Sequence, residues 1–369
     1  MRAEQALHGS MKSALINQHF GRILNPVQSQ SNAGPLFVVG VWRSGTSLLQ
    51  ALLNQHPQIG LAYEAELPLL QSLFRKGHAK ADWAARWNFW NSALTRHRIS
   101  LGSIPSGVYD LRTATETVYR KYASQKGATI WGEKSPNYWD RLDDIAREFP
   151  SAKFIVIFRN PLGVCRSVFQ AAETQDYFAR NGMGLRALFA CLQLKKQRDM
   201  LVKRGVPVCD VQYEELVQDP GRVLKHVCEY LDLPFDARMT TLENADRDSF
   251  YEGKHHSMVK GDRIIANQAR RDTLPAGFKV KIESYMALWR QQFGDWPPQY
   301  NSDPAASDQP NFMERATDSC HFWLLRQFDG LVATIYCWAP LSWLTAYRSR
   351  KRREDQLMPS GPSAQSRPL

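Results

Sequence analysis

One stretch decides the fold: Gly34-Pro35-Leu36-Phe37-Val38-Val39-Gly40-Val41-Trp42-Arg43-Ser44-Gly45-Thr46-Ser47-Leu48-Leu49-Gln50-Ala51-Leu52-Leu53. Its residues 36–39 are short and apolar, as expected of a buried strand in a parallel sheet. Gly40 and Gly45 bound a four-residue loop, and Thr46 opens an apolar-periodic segment typical of a helix packed on a sheet. Backbone N–H groups at such a helix start lack intrahelical partners, and the helix dipole favours an anion there. The stretch therefore predicts a cradle for a phosphate or a phosphate-like group.

The spacing of this stretch matches the phosphate-binding pattern G-x-x-x-x-G-K-[ST], with one exception. Thr46 stands where that pattern has the lysine that neutralises the β- and γ-phosphates, which argues against ordinary ATP or GTP chemistry. Arg43 and Ser44 lie inside the loop and supply a cation and a hydroxyl. We name Arg43, Ser44, Gly45, Thr46 and Ser47 as candidate anion-binding residues; a glycine turn without a ligand is the alternative.

Composition limits the partners and the compartment. The chain has 369 residues and a net charge of +11, which favours phosphorylated or polyanionic ligands. Nucleic acid fits the charge, but no nucleic-acid-binding motif appears, so we predict no such partner. The six cysteines fit neither a metal site nor a disulfide framework, and the first twenty residues lack an apolar signal segment. We therefore expect free core thiols and a cytoplasmic location.

Strands alternate with helices along the chain. This order predicts an α/β protein with a three-layer, P-loop-like fold, in which a central parallel sheet is flanked by helices. The predicted strands are 36–39, 128–131, 153–158 and 206–211, and residues 132–136 are predicted to form a loop. The predicted helices follow residue 45 and span 79–98, 111–125, 138–149, 161–178, 184–204, 213–231 and 275–293.

The helix predicted over 79–98 carries Trp83, Trp87 and Trp90 on one face. A core-facing stripe is the ordinary interpretation. The alternative is a stacking wall for an aromatic or sugar acceptor.

Composition divides the chain into five segments. They are an N-terminal arm 1–33, a main domain 34–300, a polar linker 301–311, an apolar segment 312–347 and a basic tail 348–369 that we expect to be disordered. The uncharged run from 330 to 347 suggests a membrane span, but Pro340 interrupts it and a span would export the basic cluster. Peripheral contact of residues 330–353 with an anionic membrane is one prediction. Packing on the core, or a homodimer, is the alternative.

Two further motifs follow the later strands. Arg159-Asn160-Pro161 follows the predicted strand 153–158, and Ser167 lies eight residues after the arginine. Tyr213-Glu214-Glu215-Leu216 follows the predicted strand 206–211. Together with the loop, they resemble the sulfotransferases that use 3′-phosphoadenosine 5′-phosphosulfate (PAPS). The resemblance is closer to the tyrosylprotein and carbohydrate sulfotransferases and their bacterial relatives than to the small-molecule cytosolic enzymes. It covers residues 34–295.

The resemblance implies a nucleotide site at the carboxyl ends of the strands. In the family, the loop that matches residues 40–47 grips the 5′-phosphosulfate, and the positions that match Arg159 and Ser167 hold the 3′-phosphate. Tyr213 matches an aromatic residue near the adenine, although core packing explains it as well. A family member often closes this site with a basic loop, here matched loosely by Lys260 and Gly261.

The resemblance also implies catalytic residues. Glu64 resembles the family's general base, with Glu66 two residues later as the alternative. Lys134, in Gly-Glu-Lys-Ser-Pro, resembles the second active-site cation and would act beside Arg43 on the leaving phosphate. Ordinary solvated side chains are the alternative for both groups. Ala171 stands where the tyrosylprotein enzymes carry a basic residue, which argues against carrying over their tyrosine specificity.

The leading hypothesis is thus a sulfotransferase that moves a sulfonyl group from PAPS to an acceptor hydroxyl. No acidic Mg²⁺-binding motif appears, and we expect no metal to be required. The acceptor is left open among glycans, lipids, tyrosine and small alcohols. A P-loop nucleotide kinase or NTPase, and a non-catalytic protein that binds PAP or polyanions, are the alternatives.

Overall fold

The computed structural model describes residues 34–65, 111–173, 178, 183–246, 261–262, 264, 274 and 276–294, with single positions between 320 and 346. The strands in these ranges are β1 (Leu36–Gly40), β2 (Ile59–Tyr63), β3 (Ile130–Ser135), β4 (Lys153–Phe158) and β5 (Val208–Gln212). The helices are α1 (Thr46–Leu53), α2 (Leu111–Gln125), α3 (Leu142–Glu148), α4 (Pro161–Ala172), α5 (Met183–Lys203), α6 (Tyr213–Gln218), α7 (Pro220–Leu231) and α8 (Ala276–Phe293).

The five strands form one parallel sheet in the order β2-β3-β1-β4-β5. β1 lies at its centre and all five of its residues are buried, as the apolar run 36–39 predicts. The prediction of an α/β fold with a central parallel sheet is confirmed.

Helices cover both faces of the sheet. Along β1, Leu36 and Val38 pack on one face, against α1 and α7, whereas Phe37 and Val39 pack on the other, against residues of α2 to α5 and α8. This alternation follows from the period of two in a strand. The described residues therefore form the predicted three layers.

The chain leaves neighbouring strands toward opposite faces of the sheet near the carboxyl end of β1. After β1 the chain turns to one face to form α1, whereas after β3 and β4 it turns to the other face to form α3 and α4. Such a divergence between neighbouring parallel strands is the usual ligand position in open α/β sheets.

Sequence reasoning missed the edge strand β2. Its five residues are buried, and backbone groups of Leu61 are satisfied by side chains of α1 and of the residue that caps its end. Asn54 Oδ1 accepts from the Leu61 N–H (2.8 Å), and Asn54 Nδ2 and Gln50 Nε2 donate to the Leu61 carbonyl (3.0 and 2.9 Å). These amide side chains make the bonds that a further strand would otherwise make, and the described part of the chain has no strand on that side of β2.

The prediction that residues 132–136 form a loop is wrong. β3 continues to Ser135, and Glu133 and Lys134 are buried strand residues. The polar Glu-Lys-Ser sequence indicates a loop only when its side chains meet solvent, and here they do not. The helix predicted over 138–149 is also shorter, because residues 136–138 form a 3-10 turn and α3 begins at Leu142.

Several predicted segments lie outside the described residues. They are the arm 1–33, the tryptophan-bearing segment 79–98, the linker 301–311 and the tail 348–369. Among the described residues, no helix is long and apolar enough to cross a bilayer.

We predict that Gly132→Ala destabilises the protein far more than Gly127→Ala. Both glycines have positive φ, but a Cβ at 132 would lie 1.9 Å from the Leu36 carbonyl oxygen, whereas a Cβ at 127 meets nothing within 4 Å. We expect a loss of about 3 kcal/mol at 132 and about 1 kcal/mol at 127. Urea unfolding followed by tryptophan fluorescence measures both. Equal losses would show that the β1–β3 approach is not the constraint.

Candidate active site

The start of α1 lies directly after the loop that follows β1. Gly45 is its N-cap in a left-handed conformation (φ 99°), no side chain caps the helix, and its first turn carries no acidic residue. The Leu49 N–H bonds to the Gly45 carbonyl (3.0 Å). The N–H groups of the preceding turn therefore have no intrahelical acceptor, and the local field favours an anion.

Two residues from distant motifs hold this loop. Arg43 itself has a left-handed backbone (φ 66°), and its carbonyl accepts from Arg159 Nη1 (2.7 Å). The Nε of Arg43 donates to Ser167 Oγ (3.0 Å). The Arg159 guanidinium stacks on the Tyr213 ring, with Cζ 4.2 Å from the centroid. The residues matched to the 3′-phosphate and adenine positions thus lie together with Arg43.

Trp42 attaches the other side of the loop to the end of β3. Its Nε1 donates to Asn137 Oδ1 (2.8 Å), and its ring packs edge-on against Trp139 with centroids 5.9 Å apart. The loop is therefore held between the ends of β3 and β4. Sequence reasoning left Trp42 unassigned, although its place directly before Arg43 was the available signal.

The cations at this loop are buried. Burial lowers the pKa of Arg159, and burial together with the positive charge of Arg159 lowers the pKa of Arg43. Two buried positive charges repel each other, so an anion between them would stabilise both charged forms. Ser44 is buried as well, and its Oγ has no hydrogen-bond partner among the described residues. The loop is suited to a multiply charged phosphate-type ligand.

A second polar cluster lies beside the first turn of α1. Lys134 Nζ, fully buried, bonds to Glu64 Oε1 (2.5 Å) and to Ser47 Oγ (3.2 Å). It also lies 3.6 Å from the centroid of the Tyr63 ring. The Glu64 side chain keeps 26% of its surface exposed. The cluster thus places a buried cation next to a carboxylate that solvent can reach.

The backbone at Glu64 is left-handed (φ 43°), and its N–H donates to the Lys134 carbonyl (2.9 Å). Backbone conformations of this kind in non-glycine residues concentrate at functional sites. Burial, and after it the negative charge of Glu64, raise the pKa of Tyr63. Tyr63 is a site residue that sequence reasoning missed, because strand β2 was not recognised.

The remaining candidates are less informative. Thr46 is buried in the first turn of α1. Gly261 is exposed, and the backbone carbonyl of the next residue, Asp262, accepts from the Leu242 N–H (3.1 Å). Lys260 and Glu66 lie outside the described residues, so their roles stay predictions. No group of three metal-ligating side chains that could hold a metal ion occurs within the described ranges.

Glu214 connects the residues that follow β4 and β5. Its Oε1 accepts from the Asn160 N–H (2.9 Å), directly after Arg159. Burial raises the pKa of the Glu214 carboxyl. The Tyr-Glu-Glu-Leu motif contained this residue, but only the tertiary structure shows its partner.

Comparisons with known proteins were made by sequence and by structure. The model of the sulfotransferase family matches residues 35–237, more than half of the chain. Protein-tyrosine sulfotransferase A of Caenorhabditis elegans is 25% identical over 242 residues, covering 64% of this chain and 56% of its own length. Nodulation protein NoeE of Sinorhizobium fredii is 30% identical over 132 residues, covering 36% of this chain and 30% of its own length.

Among solved structures, the sulfotransferase domain of the Synechococcus PCC 7002 olefin synthase is 18% identical, with a TM-score of 0.45. It covers 74% of this chain and all of that domain. The chain spans 56% and 30% of the two curated relatives it matches.

We predict that two variants of Glu214 share one pH dependence but differ in stability. Because its folded-state pKa is raised, its protonation contributes stability that is present below the unfolded pKa and lost as the pH rises through the folded value. Glu214→Gln keeps an acceptor for Asn160 without the charge, so it should gain stability relative to the natural protein between about pH 4 and about pH 8. Glu214→Ala removes the same titrating group, so its stability should change with pH as that of Glu214→Gln does, but it should lie about 2 kcal/mol lower at both pH values, because the Asn160 N–H is left unbonded.

Urea unfolding at the two pH values measures this. A Gln variant whose stability relative to the natural protein does not change with pH would contradict the buried-carboxyl interpretation. Glu215→Gln, on the exposed side of the same helix, is the control.

Proposed function

The chain belongs to the sulfotransferase family, and from that premise we propose that it transfers a sulfonyl group from PAPS to an acceptor hydroxyl. The observation that carries the proposal is the meeting of Arg43, Arg159 and Ser167 at the uncapped start of α1. These residues come from two separate motifs, and a ligand with two separate phosphate-type groups would use both.

We assign the 5′-phosphosulfate to the start of α1, with Arg43 and Lys134 as its cations. The loop's backbone N–H groups and the buried Ser44 hydroxyl support this assignment, because all of them are suited to anionic oxygens. Arg159 and Ser167 would hold the 3′-phosphate. Tyr213 would lie near the adenine, next to Arg159, whose guanidinium already stacks on its ring.

PAPS supplies an activated sulfonyl group whose sulfur–oxygen bond to the 5′-phosphate breaks as the acceptor oxygen bonds to sulfur. Glu64 would remove the proton from the acceptor hydroxyl. Lys134, bonded to both Glu64 and Ser47, would orient the carboxylate and stabilise the negative charge that develops on the leaving phosphate. Arg43 would share that charge. With these buried cations in place we propose that no metal is needed.

The acceptor and the compartment are further parts of the proposal. One matched relative is named a protein-tyrosine sulfotransferase, so a peptide tyrosine is one acceptor class to test, beside glycans, lipids and small alcohols. The described cysteines are all free, four of them buried. They support a reducing compartment, and we propose the cytoplasm.

We predict that the protein transfers labelled sulfate from PAPS and that Glu64→Gln slows turnover about 10²- to 10⁴-fold. Binding of PAP, read as a thermal shift, should change little in this variant, because Glu64 acts on the acceptor. Glu215→Gln, a carboxylate paired with Arg222 away from the loop, is the matched control and should keep its rate. Transfer should also survive EDTA. Stabilisation by Mg-ATP but not by PAP would instead favour the kinase or NTPase alternative.

We predict that Arg159→Lys weakens PAP binding about 10- to 100-fold. A lysine cannot both donate to the Arg43 carbonyl and stack its charge on the Tyr213 ring as the planar guanidinium does. Calorimetric titration with PAP measures the loss. Arg198→Lys, at an ion pair with Asp210 on α5 and β5, is the control. Unchanged PAP affinity in Arg159→Lys would contradict the assignment of the 3′-phosphate.

A further inference from the structure

Tyr63 is the last residue of β2 and is paired with Lys134 of the neighbouring strand β3. Side chains at paired positions of neighbouring strands lie on the same face of the sheet, so the strand register sets the phenol ring beside the lysine side chain. Both side chains are buried, and the Lys134 ammonium lies 3.6 Å from the centroid of the Tyr63 ring. The ring is therefore a direct contact of the buried cation.

An ammonium group that is withdrawn from water needs compensation from its neighbours. Lys134 Nζ donates to Glu64 Oε1 (2.5 Å) and to Ser47 Oγ (3.2 Å). The face of an aromatic ring carries partial negative charge and attracts a cation within about 6 Å of its centroid. The separation of 3.6 Å is well inside this limit, and the attraction is strongest where water is excluded. The Tyr63 ring therefore helps to keep Lys134 charged and in place.

Tyr63 also lies near both halves of the candidate active site. After burial, the charge of Glu64 raises the pKa of Tyr63, whereas the charge of Arg43 lowers it. The next residue, Glu64, has a left-handed backbone, and its N–H donates to the Lys134 carbonyl (2.9 Å). This turn brings the Glu64 carboxylate back to the ammonium that contacts the ring.

We propose that Tyr63 is a positioning residue for the sulfonyl transfer, because its ring holds the charged Lys134 ammonium between Glu64 and Ser47. The inference rests on the proposed function and adds a residue to it. A lysine side chain has a flexible four-carbon stem. Without the ring, the ammonium can move away from the position in which it orients Glu64 and faces the leaving phosphate. The ring carries this role, so phenylalanine can replace Tyr63 and leucine cannot.

The kinetic test compares Tyr63→Phe and Tyr63→Leu in the transfer of labelled sulfate from PAPS. Tyr63→Leu should lower kcat about 10- to 30-fold, whereas Tyr63→Phe should keep kcat within about threefold of the natural protein. The KM for PAPS should change less than about threefold in both variants, because Lys134 acts on charge that develops in the transition state.

The pH profile of kcat is a second kinetic readout. The ring favours the charged form of Lys134, so the loss of activity at alkaline pH should begin about one pH unit lower in Tyr63→Leu than in Tyr63→Phe. A residue that only filled space would change the melting temperature without moving this limit.

Tyr122→Leu is the matched control. It makes the same substitution at another contact between a lysine and a tyrosine, in which Lys126 Nζ lies 5.1 Å from the centroid of the Tyr122 ring. Tyr122 lies near the end of α2, which leads to the start of β3, whereas the candidate site lies at the carboxyl ends of the strands. Its kcat and its pH profile should equal those of the natural protein.

Nuclear magnetic resonance tests the contact without any activity. In protein whose lysines are isotope-labelled at Cε, the Lys134 signal is assigned by its loss in Lys134→Met. The ring current should shift the Hε protons of Lys134 upfield in the natural protein and in Tyr63→Phe. Tyr63→Leu should abolish this shift.

Equal kcat values and equal alkaline limits in Tyr63→Phe and Tyr63→Leu would overturn the proposal. A phenylalanine variant as slow as the leucine variant would also overturn it, because the hydroxyl would then carry the role. If the natural protein transfers no sulfate from PAPS, the proposed function fails. The Lys134 signal still decides whether the ring holds the ammonium, and an unshifted signal in the natural protein would exclude it.

Discussion

The buried guanidinium of Arg159 holds the loop between β1 and α1 in its conformation. Arg43 adopts a left-handed backbone, which costs about 1–2 kcal/mol for a residue with a Cβ. The hydrogen bond from the charged Arg159 to the Arg43 carbonyl contributes about 1.5–3 kcal/mol and offsets that cost. Arg159 in turn depends on the Tyr213 ring and on Glu214, which holds the neighbouring backbone. The conformation of the loop therefore depends on contacts with the end of β4 and the start of α6.

The same arrangement concentrates positive charge where water is scarce. The pKa values of Arg43 and Arg159 are lowered by burial, and Lys134 is fully buried on the other side of the α1 start. Lys134 has Glu64 as a counter-charge, and a phosphorylated ligand would stabilise the arginines in the same way. Binding and folding are therefore coupled here: a ligand of high negative charge should stabilise the native state as well as occupy the site.

The parts of the fold that local pattern determines were predicted correctly. β1, β4 and the start of α1 follow from apolar runs bounded by glycine or proline, and the parallel sheet follows from the alternation of strands and helices. β2 was missed although its residues Ile59–Tyr63 are mostly apolar, because a run of five residues that contains a glycine is a weak local signal. The second half of β3 was missed because its polar residues, such as Lys134, are buried rather than exposed to solvent, so a rule that links polarity to loops fails there.

By itself, the sequence determined the central strand, a helix start suited to an anion, the α/β class and the family motifs around Arg43 and Arg159. Only the tertiary structure decided that Arg43 bonds to Ser167 and that Lys134 bonds to Glu64. The physical reason is the separation of these residues along the sequence. Periodicity and turn chemistry act over a few residues, whereas these pairs are 124 and 70 residues apart, and the strand order brings them together.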